Sequence, residues 1–356
     1  MTYWITRLSG DQPSDNRFLA NQFVAESARQ LGFKPINYVL WSTRDLTDPE
    51  RRKAVIETMF GQVKSGDTVV MTYPMYVMNW AFSVEALDYL TKMDGVKTIG
   101  FVIDLHTWLS ERPYDKHIDG SLQQLREFDV IIVPTEKFAE RLREDDVHTK
   151  VIAFNFLDFI YKGPIRPKSF QKKVYIASGR PIWLTNYDGN VDITVIGDCH
   201  TKADHITTLE HRKAVALPML FDGGFAAVDM VKNVTTNKPG TSYDWDKYSE
   251  YTAPSKQALY MASGMPLIVR PENANAAIIK ARGIGLVMED LSELDEILEK
   301  MTEQEYNKMV ENLRPFQKAV ASGFFAKEAI MEALAYLEIG ATERLVPEKK
   351  KGNQEK

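Results

Sequence analysis

The apolar residues of this chain fall into two alternating patterns. Phe18, Leu19, Phe23, Val24, Ala28 and Leu31 recur at three- and four-residue spacing, which predicts a helix from about Asn16 to Leu31 with Gly32 as its stop. Tyr3 to Thr6, Thr68 to Thr72, Val96 to Ile103 and Val130 to Val133 are instead short, largely apolar runs of strand length. Helical patterns at Pro49 to Lys64, Val84 to Met93, Gly120 to Glu127 and Thr135 to Arg143 lie between them. Strands alternating with helices imply an α/β fold with a parallel, doubly wound sheet.

From Phe154 to Phe170 the rhythm breaks, with Gly163, Pro164 and Pro167 among Lys162, Arg166 and Lys168, and a domain linker is placed there. The pattern then restarts. Strands are expected at Val174 to Ala177, Ile193 to Ile196, Phe225 to Val228 and Leu286 to Met288, with helices at Ala203 to Leu209 and Ala214 to Leu220. Leu291 to Lys300 and Glu303 to Leu313 read as helices, and after a break at Pro315 an amphipathic helix runs from about Phe324 to Leu337. The tail from Val346 onward is charged and expected to be disordered.

The stretch Tyr251 to Arg270 joins both patterns. Pro254 suits the first position of a helix that Ala258, Leu259, Met261 and Ala262 continue and Gly264 stops. Pro266 forbids continuation, and Leu267 to Val269 make a buried strand. Lys256 then stands in the first helical turn, where a cation opposes the helix dipole unless an anion is bound. A diphosphate would resolve that conflict; a solvated lysine on an ordinary αβ unit is the bland alternative.

Composition narrows the function. A chain of 356 residues with 44 % hydrophobic content can bury two cores, so two domains are expected. A net charge of −5, with 44 Lys+Arg against 49 Asp+Glu, offers no basic stripe for nucleic acid. The single cysteine, Cys199, excludes an internal disulfide and a cysteine-based zinc site. No apolar run reaches the ~20 residues that cross a bilayer, and the amino terminus lacks the order of a signal peptide, so the expectation is a cytoplasmic protein without a transmembrane segment.

Neither a Walker sequence nor GxGxxG is present, so P-loop NTPases and dinucleotide enzymes of the usual kind are not supported. Open α/β sheets bind ligands beyond the carboxyl ends of their strands. That rule selects Thr6, Arg7, Ser9 and Gly10 after the first strand, Asp104 and His106, Ser178 to Arg180, and Asp229. Asp104 suits a general base or, equally, a cap or a partner of Arg112; Arg180 suits a phosphate or a surface salt bridge. Gly223 and Gly224 permit close approach of a ligand or make a plain tight turn. Trp108, Tyr76 and Trp80 suit a sugar stack or a core. Asp198, Cys199, His200, Asp204, His205 and His211 match no compact zinc spacing, and a metal is not expected.

These segments together resemble the Gtf3-type glucosyltransferases of lactic acid bacteria and streptococci. The resemblance rests on ITRLSGD at 5 to 11, FVIDLH at 101 to 106, IIVPTEKFAERL at 131 to 142, DGGFAAV at 222 to 228, YTAPSKQALYMASGMPLIV at 251 to 269, GIGLV at 283 to 287 and GFFAKEAIMEAL at 323 to 334. It implies a GT-B fold of two Rossmann-like domains: residues 1–155 on the acceptor side, 168–315 for the nucleotide sugar, a helix within 316–340 crossing back to the first domain, and a charged tail at 341–356. It also implies a UDP-sugar as substrate, no cofactor or metal, and a homo-oligomer, in this family a tetramer. By position Lys256, preceded by Ser255, resembles the family's diphosphate-binding lysine, and Thr6 to Gly10 its donor and acceptor loop; Arg180 is a looser match. Asp104 matches the aspartate of an IHD-like segment whose histidine is here Ile103, while His106 follows two residues later.

The resulting expectation is a hexosyltransferase moving glucose from a UDP-sugar to a GlcNAc-modified serine-rich repeat glycoprotein, an adhesin. A β-1,6-galactofuranosyltransferase acting on a cell-wall or capsular glycan would share the fold. A non-catalytic glycosyltransferase partner would lose charged cleft groups, against which stand Lys256, Asp104 and Arg180.

Overall fold

The structure is a computed structural model. It describes residues 1–9, 16–39, 46–75, 80–105, 108, 122–178, 184, 187–197, 199, 203–228, 230 and 248–340.

Two six-stranded parallel sheets organise the chain. The first holds β1 (Tyr3–Ser9), β2 (Lys34–Val39), β3 (Thr68–Tyr73), β4 (Lys97–Val102), β5 (Val130–Val133) and β6 (Lys150–Ala153), in the order β2-β1-β3-β4-β5-β6. Among its helices are α1 (Asn16–Gln30), α2 (Pro49–Phe60), α3 (Trp80–Thr91) and α4 (Glu136–Glu144). β3, β4 and β5 lie inside the sheet, so their apolar runs are continuous rather than alternating.

The second sheet holds β7 (Ser169–Ala177), β8 (Asp192–Ile196), β9 (Ile206–Leu209), β10 (Gly223–Ala227), β11 (Leu267–Val269) and β12 (Gly285–Val287). Its order, β12-β11-β10-β7-β8-β9, reverses direction between β7 and β10. A crevice opens at such a reversal, beyond the carboxyl ends of the two strands. The helices α5 (Ser255–Ala262), α6 (Ala276–Arg282) and α7 (Leu294–Lys300) belong to this half.

Two long helices close the chain. α8 (Glu303–Ser322) packs on α5 and β7, and α9 (Phe324–Ile339) packs on α1, β5 and β6 of the first sheet. Gly323 makes the turn between them at φ 77°, and a Cβ there would meet the Ser27 hydroxyl of α1 at 2.2 Å. Backbone N–H groups of Phe159 and Tyr161 in the linker donate to Val320 and Ala321 at the end of α8, at 3.1 and 3.2 Å. One apolar core accordingly runs through both halves, including Ile5, Val24, Tyr175, Leu259, Ile330 and Leu334.

Several expectations are corrected. Ile206–Leu209 is an edge strand and not a helix: its residues line up beside Ile193–Ile196, and pairing overrides a short ambiguous pattern. The helix expected to break at Pro315 continues through it. Tyr306, Leu313 and Val320 form a buried stripe at heptad spacing, and the exposed Pro315 leaves the stripe intact. Pro254 is the N-cap of α5, with Ser255 first and Lys256 second in the helix. Ala214–Met219 is a 3-10 helix. β2 and β6, left unassigned in the sequence reading, are the outer strands of the first sheet; β2 carries Lys34 and Asn37, and β6 is only four residues long. The charged tail lies outside the described residues.

Candidate functional site

Lys256 is set in place by the packing of α5. Tyr260, fully buried one turn later, accepts the backbone N–H of Ala177 at 2.7 Å and so pins the helix against the carboxyl end of β7. The first turn of α5 is thereby held beside the strand that borders the reversal of sheet order. Ser255 and Lys256 line a small space with Leu19, Ala20 and Phe23 of α1 and with Leu157 and Asp158 of the linker. Its volume is about 10 Å³, the room of a single water. This is a junction between the two halves of the chain. Two other candidates of the second half, Arg180 and Asp229, lie outside the described residues, as do Gly10 and His106.

Asp104 emerges two residues after β4, half-buried, at the carboxyl edge of the first sheet. Its Oδ1 accepts the hydroxyl of Tyr248 at 3.1 Å, and the same hydroxyl accepts the backbone N–H of Leu105 at 3.1 Å. Tyr248 precedes α5 by a few residues and is buried. The segment it opens is fastened on both sides. Thr135 Oγ1 donates to the Tyr251 carbonyl at 2.6 Å, and Ala274 N–H donates to the Ser249 carbonyl at 3.2 Å. Asp104 and Lys256, far apart in sequence, are thus connected through one short run of chain.

The remaining candidates separate. Thr6 is not in a loop: β1 continues to Ser9, and Thr6 is fully buried with its hydroxyl 3.1 Å from that of Thr72, so it serves the core rather than a ligand. Arg7 is exposed on the same strand. Ser9, at the strand's end, donates to Asn37 Oδ1 at 3.0 Å. Gly224 is also corrected. It sits at the amino end of β10, in a bulge at φ 67°, where a Cβ would lie 2.4 Å from the Lys173 carbonyl, and its own carbonyl accepts the Tyr306 hydroxyl at 3.0 Å. Backbone already fills the space a ligand would need. Trp108 packs on Phe138 and Tyr251 and donates from Nε1 to Asp145 at 2.7 Å. Tyr76 and the side chain of Trp80 lie outside the described residues. Among the described residues no group of three His, Cys, Asp or Glu is placed to hold a metal, and no helix is long and apolar enough to cross a membrane.

Four residues escaped the sequence reading. Arg270 follows β11 directly, is buried, and pairs with Glu272 at 3.0 Å; the strand-end rule that selected Asp104 would have found it. Asn275, buried, donates from its side chain to the Asn155 carbonyl of the linker at 2.8 Å. Tyr248 lies in polar sequence without periodicity, and nothing there signals its role. Asp158 is the strongly perturbed carboxyl of the junction. Burial pushes it up to about 7, against the pull of the Ala326 and Phe325 N–H groups and of Lys327.

Comparison with known proteins now decides the family. The Glucosyltransferase 3-like N-terminal domain matches residues 2–156, and the Glucosyltransferase 3-like C-terminal domain matches residues 174–333. The chain belongs to the Glucosyltransferase 3-like family. "Glucosyltransferase 3" of Streptococcus gordonii is 25 % identical over 340 residues, covering 93 % of this chain and 97 % of its own. The protein of the same name from Streptococcus parasanguinis is 21 % identical over 340 residues, covering 94 % and 98 %. Solved structures with the same fold include sucrose-phosphate synthase from Thermosynechococcus elongatus, with a TM-score of 0.63 at 10 % identity, covering 96 % of this chain and all of that one. Another is HepE of Anabaena in complex with UDP and glucose, with a TM-score of 0.60 at 11 % identity over 94 % of this chain and all of that one. The fold of this glucosyltransferase-family member is therefore GT-B, and its class is hexosyltransferase.

Proposed function

We propose that this hexosyltransferase takes its sugar from a UDP-hexose, glucose in the first place, and transfers it to GlcNAc carried by a serine-rich repeat glycoprotein. The observation that carries the donor half is the position of Lys256: first turn of α5, with that helix pinned by Tyr260 to the end of β7 where the sheet order reverses. A lysine there is placed to make a charge-assisted contact with a bound diphosphate, whose negative charge the helix N-terminus also favours. The relatives' name, Glucosyltransferase 3, supports glucose, and the UDP held by the HepE structure supports the nucleotide.

In the transfer, the acceptor hydroxyl oxygen forms a bond to the anomeric carbon while the bond from that carbon to the diphosphate oxygen breaks. For a transfer that inverts the anomeric centre, the hydroxyl proton passes to the Asp104 carboxylate and UDP leaves with the electron pair; in a retaining transfer Asp104 would instead position the acceptor. Lys256, with Ser255, Arg180 and the N–H groups of the first turn of α5, stabilises the charge developing on the diphosphate. Arg7 and Ser9, at the carboxyl side of β1, face the acceptor side in this reading. The UDP-sugar is substrate and no cofactor or metal takes part; the active form is a homo-oligomer, a tetramer, working in the cytoplasm.

The test is a panel of UDP-hexoses, UDP-galactofuranose included, assayed for UDP release with a GlcNAc-bearing serine-rich peptide, with and without EDTA. Turnover is expected with UDP-glucose and is expected to survive EDTA. Turnover restricted to UDP-galactofuranose, or transfer only to a glycan without peptide, would overturn the glucose and glycoprotein assignments.

A further inference from the structure

We propose that Tyr248 is the positioning residue for Asp104, and that through it the acceptor base is tied to the helix that binds the donor. The proposal rests on the reading of Asp104 as the base. A phenol has one proton, a backbone N–H can only donate and an ionised carboxylate can only accept, so the directions of the two contacts are determined. The Tyr248 hydroxyl takes the Leu105 N–H at 3.1 Å and gives its proton to Asp104 Oδ1 at 3.1 Å. The carboxylate is thereby oriented against the backbone of the residue that follows it. Asp104 itself is half-buried while Tyr248 and Leu105 are buried, so the clamp is shielded from water and the carboxylate remains within reach of an acceptor.

Tyr248 does not belong to the sheet that carries Asp104. It lies in the chain between β10 and α5 of the second half, and the run from it to Lys256 can span at most ~28 Å even fully extended. That run is fastened to the first half where Thr135 bonds the Tyr251 carbonyl at 2.6 Å and where the Tyr251 and Trp108 rings approach to 5.4 Å. It is fastened to the second half at Ser249 through the Ala274 N–H. A base held this way is in place only when the two halves are docked as they are here. Asp104 is therefore set by the same segment that presents Lys256 to the donor.

The experiment is a double-mutant cycle, read on whichever UDP-hexose and acceptor the wild type turns over, with UDP affinity and thermal unfolding measured for each variant. Tyr248→Phe should lower kcat by roughly 10- to 100-fold, the worth of a hydrogen bond to a charged group, and leave the Kd for UDP within about twofold. In the Asp104→Asn background the same change should lower kcat no further. A wild-type kcat for Tyr248→Phe, or an equal loss in both backgrounds, would overturn the positioning role, whatever its melting temperature. A wild-type kcat for Asp104→Asn would instead remove the base on which the role depends.

Discussion

The carboxylate of Asp158 in the linker accepts the backbone N–H of Ala326 at 2.7 Å, and that of Phe325 at 3.3 Å, and so caps the first turn of α9. The contact joins the connection between the two sheets to the helix that returns to the first. It also makes the junction sensitive to pH. Burial raises the carboxyl to about 7 from an ordinary value of 3.8, so the folded protein holds this proton more tightly than the unfolded chain. Its stabilising contribution is full below about pH 4 and is lost as the pH rises through about 7. A shift of that size is worth at most ~4 kcal/mol. Thermal unfolding across pH 4 to 8 should show the advantage of wild type over Asp158→Asn shrinking as pH rises, and an advantage independent of pH would exclude this titration.

The apolar face of α9 is the second test. Ile330 is fully buried where α9 covers β5, β6 and α1. Ile330→Ala should cost about 2–4 kcal/mol, the usual loss for a buried large aliphatic residue. Removing the chain from Ser322 onward should lower the melting temperature further, and unchanged unfolding of the truncated protein would show that the helix contributes nothing to the first domain. Removing Val346 to Lys356 should matter little.

Lys256→Ala separates the donor site from the fold. The substitution removes one partly exposed cation from the first turn of α5, so stability should change by less than about 1 kcal/mol. UDP affinity should fall by roughly 1.5–3 kcal/mol. Calorimetry giving equal affinities for the two proteins would return α5 to a purely structural part. UDP should raise the melting temperature of the wild type by mass action, with or without EDTA.

Gly224→Ala distinguishes a backbone requirement from a ligand contact. A Cβ placed 2.4 Å from the Lys173 carbonyl, at φ 67°, should destabilise by at least ~2 kcal/mol. The folded fraction should bind UDP as the wild type does. A stable variant with weakened UDP binding would restore Gly224 to the donor site.

What the linear pattern determined is the part governed by local chemistry. Pro254, Gly264 and Pro266 punctuate a short helix and a strand whatever surrounds them, and both elements stand within a residue of where the spacing put them. The continuous apolar runs of β3, β4 and β5 carry their burial in their composition, so a parallel sheet was legible, and so was Asp104 at its edge. The docked structure decided the rest. Ile206–Leu209 is a strand because β8 offers it a ladder, and α8 passes Pro315 because Tyr306, Leu313 and Val320 are buried on one face; neither partner is local. Thr6 became a core residue only when β3 brought Thr72 beside it. The contact from Tyr248 to Asp104 spans 144 positions, and no periodicity or spacing encodes it. It exists because the two sheets are packed together across a shared apolar core, and a hydrogen bond between the halves is specified by that packing and not by either sequence segment.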